Sequence, residues 1–160
     1  MNTMTIKIFL KQIVVRIVSW QARKVLSIYK PKIIAVTGSV GKTSTKDAIF
    51  AVMSGRFHVR KSSKSFNSEI GVPLTILGLP NAWTHPVGWI QNFIKGMRLI
   101  WFRGAYPEWL VLEVGADKPG DIKMITEWLK PDVAIITHIG TVPVHVEFFD
   151  SIEKLVEEKR

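Results

Sequence analysis

A chain of 160 residues is long enough for one domain with a substantial core, and 47% hydrophobic against 22% charged residues excludes a disordered segment. Its net charge of +9 favours anions: nucleotides, nucleic acids, acidic substrates or an anionic membrane surface, unless the basic surface has no special partner. The absence of cysteine excludes disulfides, zinc–thiolate sites and thiol catalysis, and fits a reducing, cytoplasmic setting.

Residues 5–28 read as an amphipathic helix, with Ile8, Leu10, Ile13, Val14, Ile17, Val18 and Val25 on one broad apolar face and only basic charges. Such a helix either packs on its own domain or rests on a membrane surface. Lys7, Lys11 and Arg16 interrupt the apolar stretch and no small-residue cleavage site follows, so the segment reads as a retained, basic N-terminal helix over 1–30 rather than a signal peptide. No apolar run approaches the roughly 18 residues of a membrane span.

After Pro31, the β-branched run KIIAVT (32–37) predicts a buried strand, and KTSTKDAIFAVM (42–53) predicts a helix. A second strand is expected at 57–60, a polar loop at 61–68, and a short helix at 69–77 closed by Gly78 and Pro80. Residues 83–106 hold three of the six tryptophans among several Lys and Arg, with helical periodicity over 87–102. An aromatic stripe of this kind packs into a core or touches a membrane or partner. A strand at 109–115, a helix at 120–129, a strand at 132–140 and a helix from 151 complete the order, the last with Ser151 as its cap. Strands alternating with helices predict an α/β fold built on a parallel sheet.

Between the first strand and its helix stands Gly38-Ser39-Val40-Gly41-Lys42-Thr43-Ser44. Glycines let the backbone curl so that its N–H groups face inward, and the helix N-terminus adds partial positive charge. A lysine and a hydroxyl at these positions suit a triphosphate and its Mg²⁺, which makes ATP with Mg²⁺ the expected ligand. Val36 occupies the place of the first glycine in the longer G-x-x-x-x-G-K-[ST] pattern. No nucleic-acid-binding motif accompanies the basic charge.

The segment IIAVTGSVGKTSTKDAI resembles the phosphate loop of the Mur ligases, which use T-G-x-x-G-K-[ST] without that first glycine. SFNSEIGVPLTIL (65–77), VLEVGADKPGDI (111–122) and PDVAIITHIGTVPVHVEFFDSIEKLVEEK (131–159) resemble three further segments of that family in order and spacing. They are most similar to its members that add D-alanyl-D-alanine to UDP-N-acetylmuramoyl-tripeptide. The resemblance covers about residues 31–160. It implies a three-layer, phosphate-loop-containing parallel sheet, the ATP-binding central domain of an ATP-dependent carbon–nitrogen ligase of peptidoglycan precursor synthesis. In that family an acyl phosphate forms on a substrate carboxylate and is attacked by an amine.

By this resemblance Lys42 and the loop from Gly38 to Ser44 bind phosphates, and Thr43 and Glu113 hold Mg²⁺. His145 serves a second metal site, Lys159 is the lysine that becomes carbamylated, and Asn67 contacts a UDP-MurNAc-peptide-like substrate. Ser65, Ser68, Asp117 and His138 depart from asparagines of the family pattern, which touches substrate contacts more than ATP contacts. His58, His85 and His138 read as structural. The family's N-terminal and C-terminal domains have no counterpart in the 160 residues, so a partial central domain is expected, dependent on the missing portions. A folylpolyglutamate-synthase-type ligase of the same superfamily and a non-catalytic nucleotide-binding module are the alternatives.

Overall fold

In a computed structural model, the structure describes residues 3–63, 66–83, 85–115 and 120–138. In chain order the elements are α1 (Thr3–Tyr29), β1 (Lys32–Thr37), α2 (Lys42–Met53), β2 (Val59–Lys61), α3 (Gly71–Leu77), α4 (Pro86–Trp101), β3 (Trp109–Glu113), α5 (Asp121–Leu129) and β4 (Val133–Ile136). The four strands are all parallel, in the order β2-β3-β1-β4.

Side chains of a strand alternate between its faces, and both faces of the central strands are covered. Ile33, Ala35, Leu110 and Leu112 face a core completed by Val18, Ala22 and Val25 of α1, by α3, and by Ile122, Ile125 and Leu129 of α5. Ile34, Val36 and Val111 face the other way, onto Ile49 and Met53 of α2. The expected α/β architecture of three layers is therefore present: α2, the sheet, and a thicker layer of α1, α3, α4 and α5. Full burial of each such side chain contributes about 1.5–3 kcal/mol.

Element boundaries moved by a few residues. The second strand lies at 59–61 rather than 57–60, and β3 ends at Glu113 rather than at residue 115, because Gly115 turns its N–H to the Asn67 carbonyl at 2.8 Å. The fourth strand ends at Ile136, and His138 makes an isolated antiparallel bridge to Val40 instead. The helix expected from Ser151 lies outside the described residues.

The apolar face read for the N-terminal helix needs correction. Only its C-terminal half is core: Val18, Ala22 and Val25 are fully buried, whereas Leu10 and Ile13 are exposed with Phe9 and Trp20. The residues of α1 that join the core with the sheet are those from Val18 onward. Alongside it, α4 is close enough that a Cβ on Gly96 would stand 2.5 Å from Gln21 Oε1. Gln21 Nε2 donates to the Phe93 carbonyl at 2.9 Å and the Tyr29 hydroxyl donates to the Leu99 carbonyl at 3.0 Å, which fixes the register of α1 on α4. At the end of α3, Gly78 takes the left-handed conformation and Arg60 Nη1 donates to the Ile76 carbonyl at 2.7 Å, a cation placed where the helix dipole is negative. Burial lowers the pKa of that guanidinium below its usual value and raises that of Tyr106 beside it. Among the described residues no helix is long and apolar enough to cross a membrane.

Candidate functional site

In an open parallel sheet, ligands bind beyond the carboxyl ends of the strands, where neighbouring strands send their chains to opposite faces. Here that point lies between β1 and β3. The chain leaves β1 into α2 on one face and leaves β3 toward α5 on the other. The register pairs Val36 with Glu113, so Glu113 stands level with the end of β1, where the phosphate loop begins.

The loop needs its glycines. Gly38 has φ 139° and Gly41 has φ 89°, both in the region that favours glycine. A Cβ on Gly38 would fall 2.0 Å from Thr137 Oγ1. Gly38→Ala is therefore expected to lower stability by roughly 2–4 kcal/mol, read by chemical denaturation, because strain and overlap combine. An unchanged unfolding midpoint would refute this close packing of loop and strand end.

Gly41 caps α2, and Lys42, Thr43 and Ser44 form its first turn, where helical N–H groups have no partner within the helix. Lys42 Nζ lies back on the loop, donating to the carbonyls of Gly38 at 2.8 Å and Ser39 at 3.3 Å. The backbone N–H groups of Ser39 and Val40 both donate to the His138 carbonyl, at 3.0 and 3.1 Å. Two of the amides expected to turn toward phosphate are thus engaged by the segment after β4. The Val40 side chain is exposed, and the Thr37 hydroxyl at the loop's entrance is buried without a hydrogen-bond partner.

Thr43 and Glu113 do meet: Thr43 Oγ1 donates to Glu113 Oε2 at 2.9 Å. Glu113 is buried, and its own N–H donates to Ser62 Oγ at 3.0 Å. A further residue completes this cluster. Lys46, only 1% exposed, places Nζ 3.5 Å from Glu113 Oε2 and 3.7 Å from Asp47 Oδ1. Asp47 in turn accepts from Lys61 Nζ at 2.8 Å, and that hydrogen bond holds its carboxyl below the usual pKa. The sequence reading passed over Lys46. Its signal was spacing: three residues after Thr43, it shares that residue's face of α2, and both side chains reach Glu113.

Asn67 lies across the end of β3, its side chain about 3.0 Å from where a Gly115 Cβ would be, which brings it beside the strand that carries Glu113. His145, Lys159 and Asp117 lie outside the described residues. Among the described residues, no cluster of three His, Asp or Glu is placed to hold a metal ion. The donor set nonetheless fits a hard cation that keeps most of its water: one carboxylate oxygen and one hydroxyl, 2.9 Å apart, next to a loop shaped for phosphate oxygens. The two positive-φ glycines, the unpartnered Thr37 hydroxyl and the helix N-terminus fit a polyphosphate.

Known proteins share this fold and its sequence pattern. The sequence model of the Mur ligase middle domain matches residues 36–87 and 96–160. The UDP-N-acetylmuramoyl-tripeptide–D-alanyl-D-alanine ligase of Bacillus subtilis (strain 168) is 35% identical over 128 residues, covering 80% of this chain and 22% of that protein. The protein of the same name from Rickettsia prowazekii (strain Madrid E) is 30% identical over 146 residues, covering 88% and 27%. The crystal structure of MurF ligase from Thermotoga maritima in complex with ADP superposes with a TM-score of 0.67 at 31% identity, over 91% of this chain and 28% of that one. The chain thus spans about a quarter of the length of the relatives it matches. The sheet, the loop without a first glycine and the matched segments lead to one assignment: this chain belongs to the Mur ligase family and carries its middle domain.

Proposed function

We propose that this chain is the ATP-binding part of an ATP-dependent amide ligase of peptidoglycan precursor synthesis, acting on a UDP-MurNAc-peptide-like substrate. The observation that carries the reading is the Thr43–Glu113 contact, set between a phosphate loop and a strand end. In the reaction, a substrate carboxylate oxygen attacks the γ-phosphorus of ATP. An acyl phosphate forms and ADP leaves. An amine then attacks the acyl carbon, an amide forms, and inorganic phosphate departs with the proton lost from nitrogen. An ATP-consuming step of this kind belongs in the cytoplasm.

Both reactants are polyanions, so cations and N–H dipoles must offset their repulsion. Lys42 would leave the carbonyls of Gly38 and Ser39 for the phosphates, since a full negative charge attracts an ammonium more than two carbonyl dipoles do. The first-turn amides of α2, from Lys42 to Ser44, would take phosphate oxygens. The amides of Ser39 and Val40 would join them once freed from the His138 carbonyl. Thr43 and Glu113 would hold Mg²⁺, which when bound neutralises charge on the phosphates. Lys46 holds the Glu113 carboxylate in place. Asn67 would contact the peptide-bearing substrate. His145 and a carbamylated Lys159 would serve a second ion.

Trapping tests the chemistry. With ATP, Mg²⁺ and UDP-MurNAc-tripeptide, hydroxylamine is expected to yield a hydroxamate together with ADP, in amounts that depend on the peptide substrate. ATP binding with no hydroxamate would instead identify a nucleotide-binding module without ligase chemistry. Hydroxamate formed from folates and not from the UDP-MurNAc-peptide would select the folylpolyglutamate-type reading.

A further inference from the structure

The face of α4 that turns away from the protein is apolar. Val87 is 66% exposed, Ile90 56%, Ile94 57% and Trp101 70%. At about 3.6 residues per turn these four fall within roughly 60° of one another around the helix. The opposite face is already used: Asn92 and Gly96 are buried, and Trp89, Phe93, Leu99 and Ile100 pack on the core. Among the described residues, the stripe therefore takes no part in the core. Trp83 precedes it and Phe102 follows it, both more than 70% exposed, so aromatic rings mark its two ends.

The charges around the stripe have one sign. Lys95 and Arg98 lie on α4 and Arg103 just after it, and residues 82–107 contain no Asp or Glu. The helix packed alongside, α1, contains none either, and the first acidic residue of the chain is Asp47. The family match breaks between residues 87 and 96, inside this helix, so Ile90 and Ile94 at the middle of the stripe fall where the family pattern gives no account of them, while Val87 and Trp101 lie within the match.

We infer that α4 is an interfacial helix that docks this domain on an anionic lipid surface. A stripe of Val, Ile and Trp beside Lys and Arg, with aromatic rings at its ends, is the composition that buries its apolar side at the headgroup boundary. Uniform basic charge selects anionic over neutral lipid. The helix lies on the surface: at 16 residues it is about 24 Å long, short of the roughly 30 Å hydrocarbon core. A protein partner would need an apolar strip that is acidic along its length, whereas an anionic bilayer presents both properties everywhere.

Vesicle flotation of the full chain tests this, independently of the ligase reading. Vesicles of phosphatidylglycerol and phosphatidylcholine should carry the protein up at low salt, and pure phosphatidylcholine should not. Binding should fall at least tenfold in 0.5 M NaCl, because surface electrostatics are screened. Ile90→Asp with Ile94→Asp should reduce binding at least tenfold while leaving the circular dichroism melt unchanged, since both side chains are exposed. Arg98→Glu with Arg103→Glu should do the same without altering the stripe. Equal binding to neutral vesicles, or undiminished binding by both double variants, would overturn the inference. So would self-association in sedimentation velocity that the isoleucine variant abolishes without any vesicle binding, because the stripe would then join two copies of the chain.

Discussion

Lys46→Ala is expected to cost about 3 kcal/mol of stability, the low end of the range for removing one partner of a buried ion pair. The reason is the charge left behind. Glu113 is buried, and without the ammonium 3.5 Å away it keeps, among the described residues, only the Thr43 hydroxyl on its carboxylate. For a chain of this size the melting temperature should fall by roughly 6–12 °C. A double-mutant cycle separates charge from packing. Lys46→Met should destabilise nearly as much as Lys46→Ala, and adding Glu113→Leu should restore most of the loss, because an apolar pair replaces an unpaired charge. A Lys46→Met protein that melts like the wild type would show that the contact contributes nothing.

The second large effect falls on rate. Lys42→Ala should lower turnover at least about 100-fold in the ligase assay, as expected when a preorganised cation is taken from a transferring phosphoryl group. Stability should change little, because Lys42 is half-exposed and, among the described residues, bonds only to two loop carbonyls. Lys42→Arg should not restore the rate, since a planar guanidinium cannot occupy the compact space of an ammonium at the loop. Turnover within a few-fold of wild type in Lys42→Ala would remove the loop from the mechanism.

The contrast between Lys42 and Lys46 shows what the sequence disclosed. A strand of β-branched residues running into a glycine-bounded turn and a helix is a local pattern, and its secondary structure was legible. Glu113 was legible too, as a carboxylate at a strand end, and the register of Val36 with Glu113 places it beside the loop. Lys46 was not, because a lysine within KTSTKDAI looks like any solvated helical position until β3 is laid against α2. Nor did the sequence separate the two sides of the 87–102 helix. Trp89 and Trp101 share a composition and a period, yet one packs on the core while the other is exposed, and the docking of α1 at Gly96 fixes which side of the helix turns inward. The N-terminal half of α1 failed in the same way: Leu10 and Ile13 continue the apolar pattern of Val18 and Val25, yet they are exposed. The carbonyl of His138 on the loop amides is a backbone contact between distant segments, which no side-chain pattern encodes.

Calorimetric titration of ATP, with and without Mg²⁺, into the wild-type chain and Lys42→Ala tests the central claim most directly. Binding that strengthens with Mg²⁺ and weakens at least tenfold in Lys42→Ala is the result predicted by a phosphate loop working with Thr43 and Glu113. A folded wild-type chain that binds no ATP, or binds it equally without Mg²⁺ and without Lys42, would contradict it.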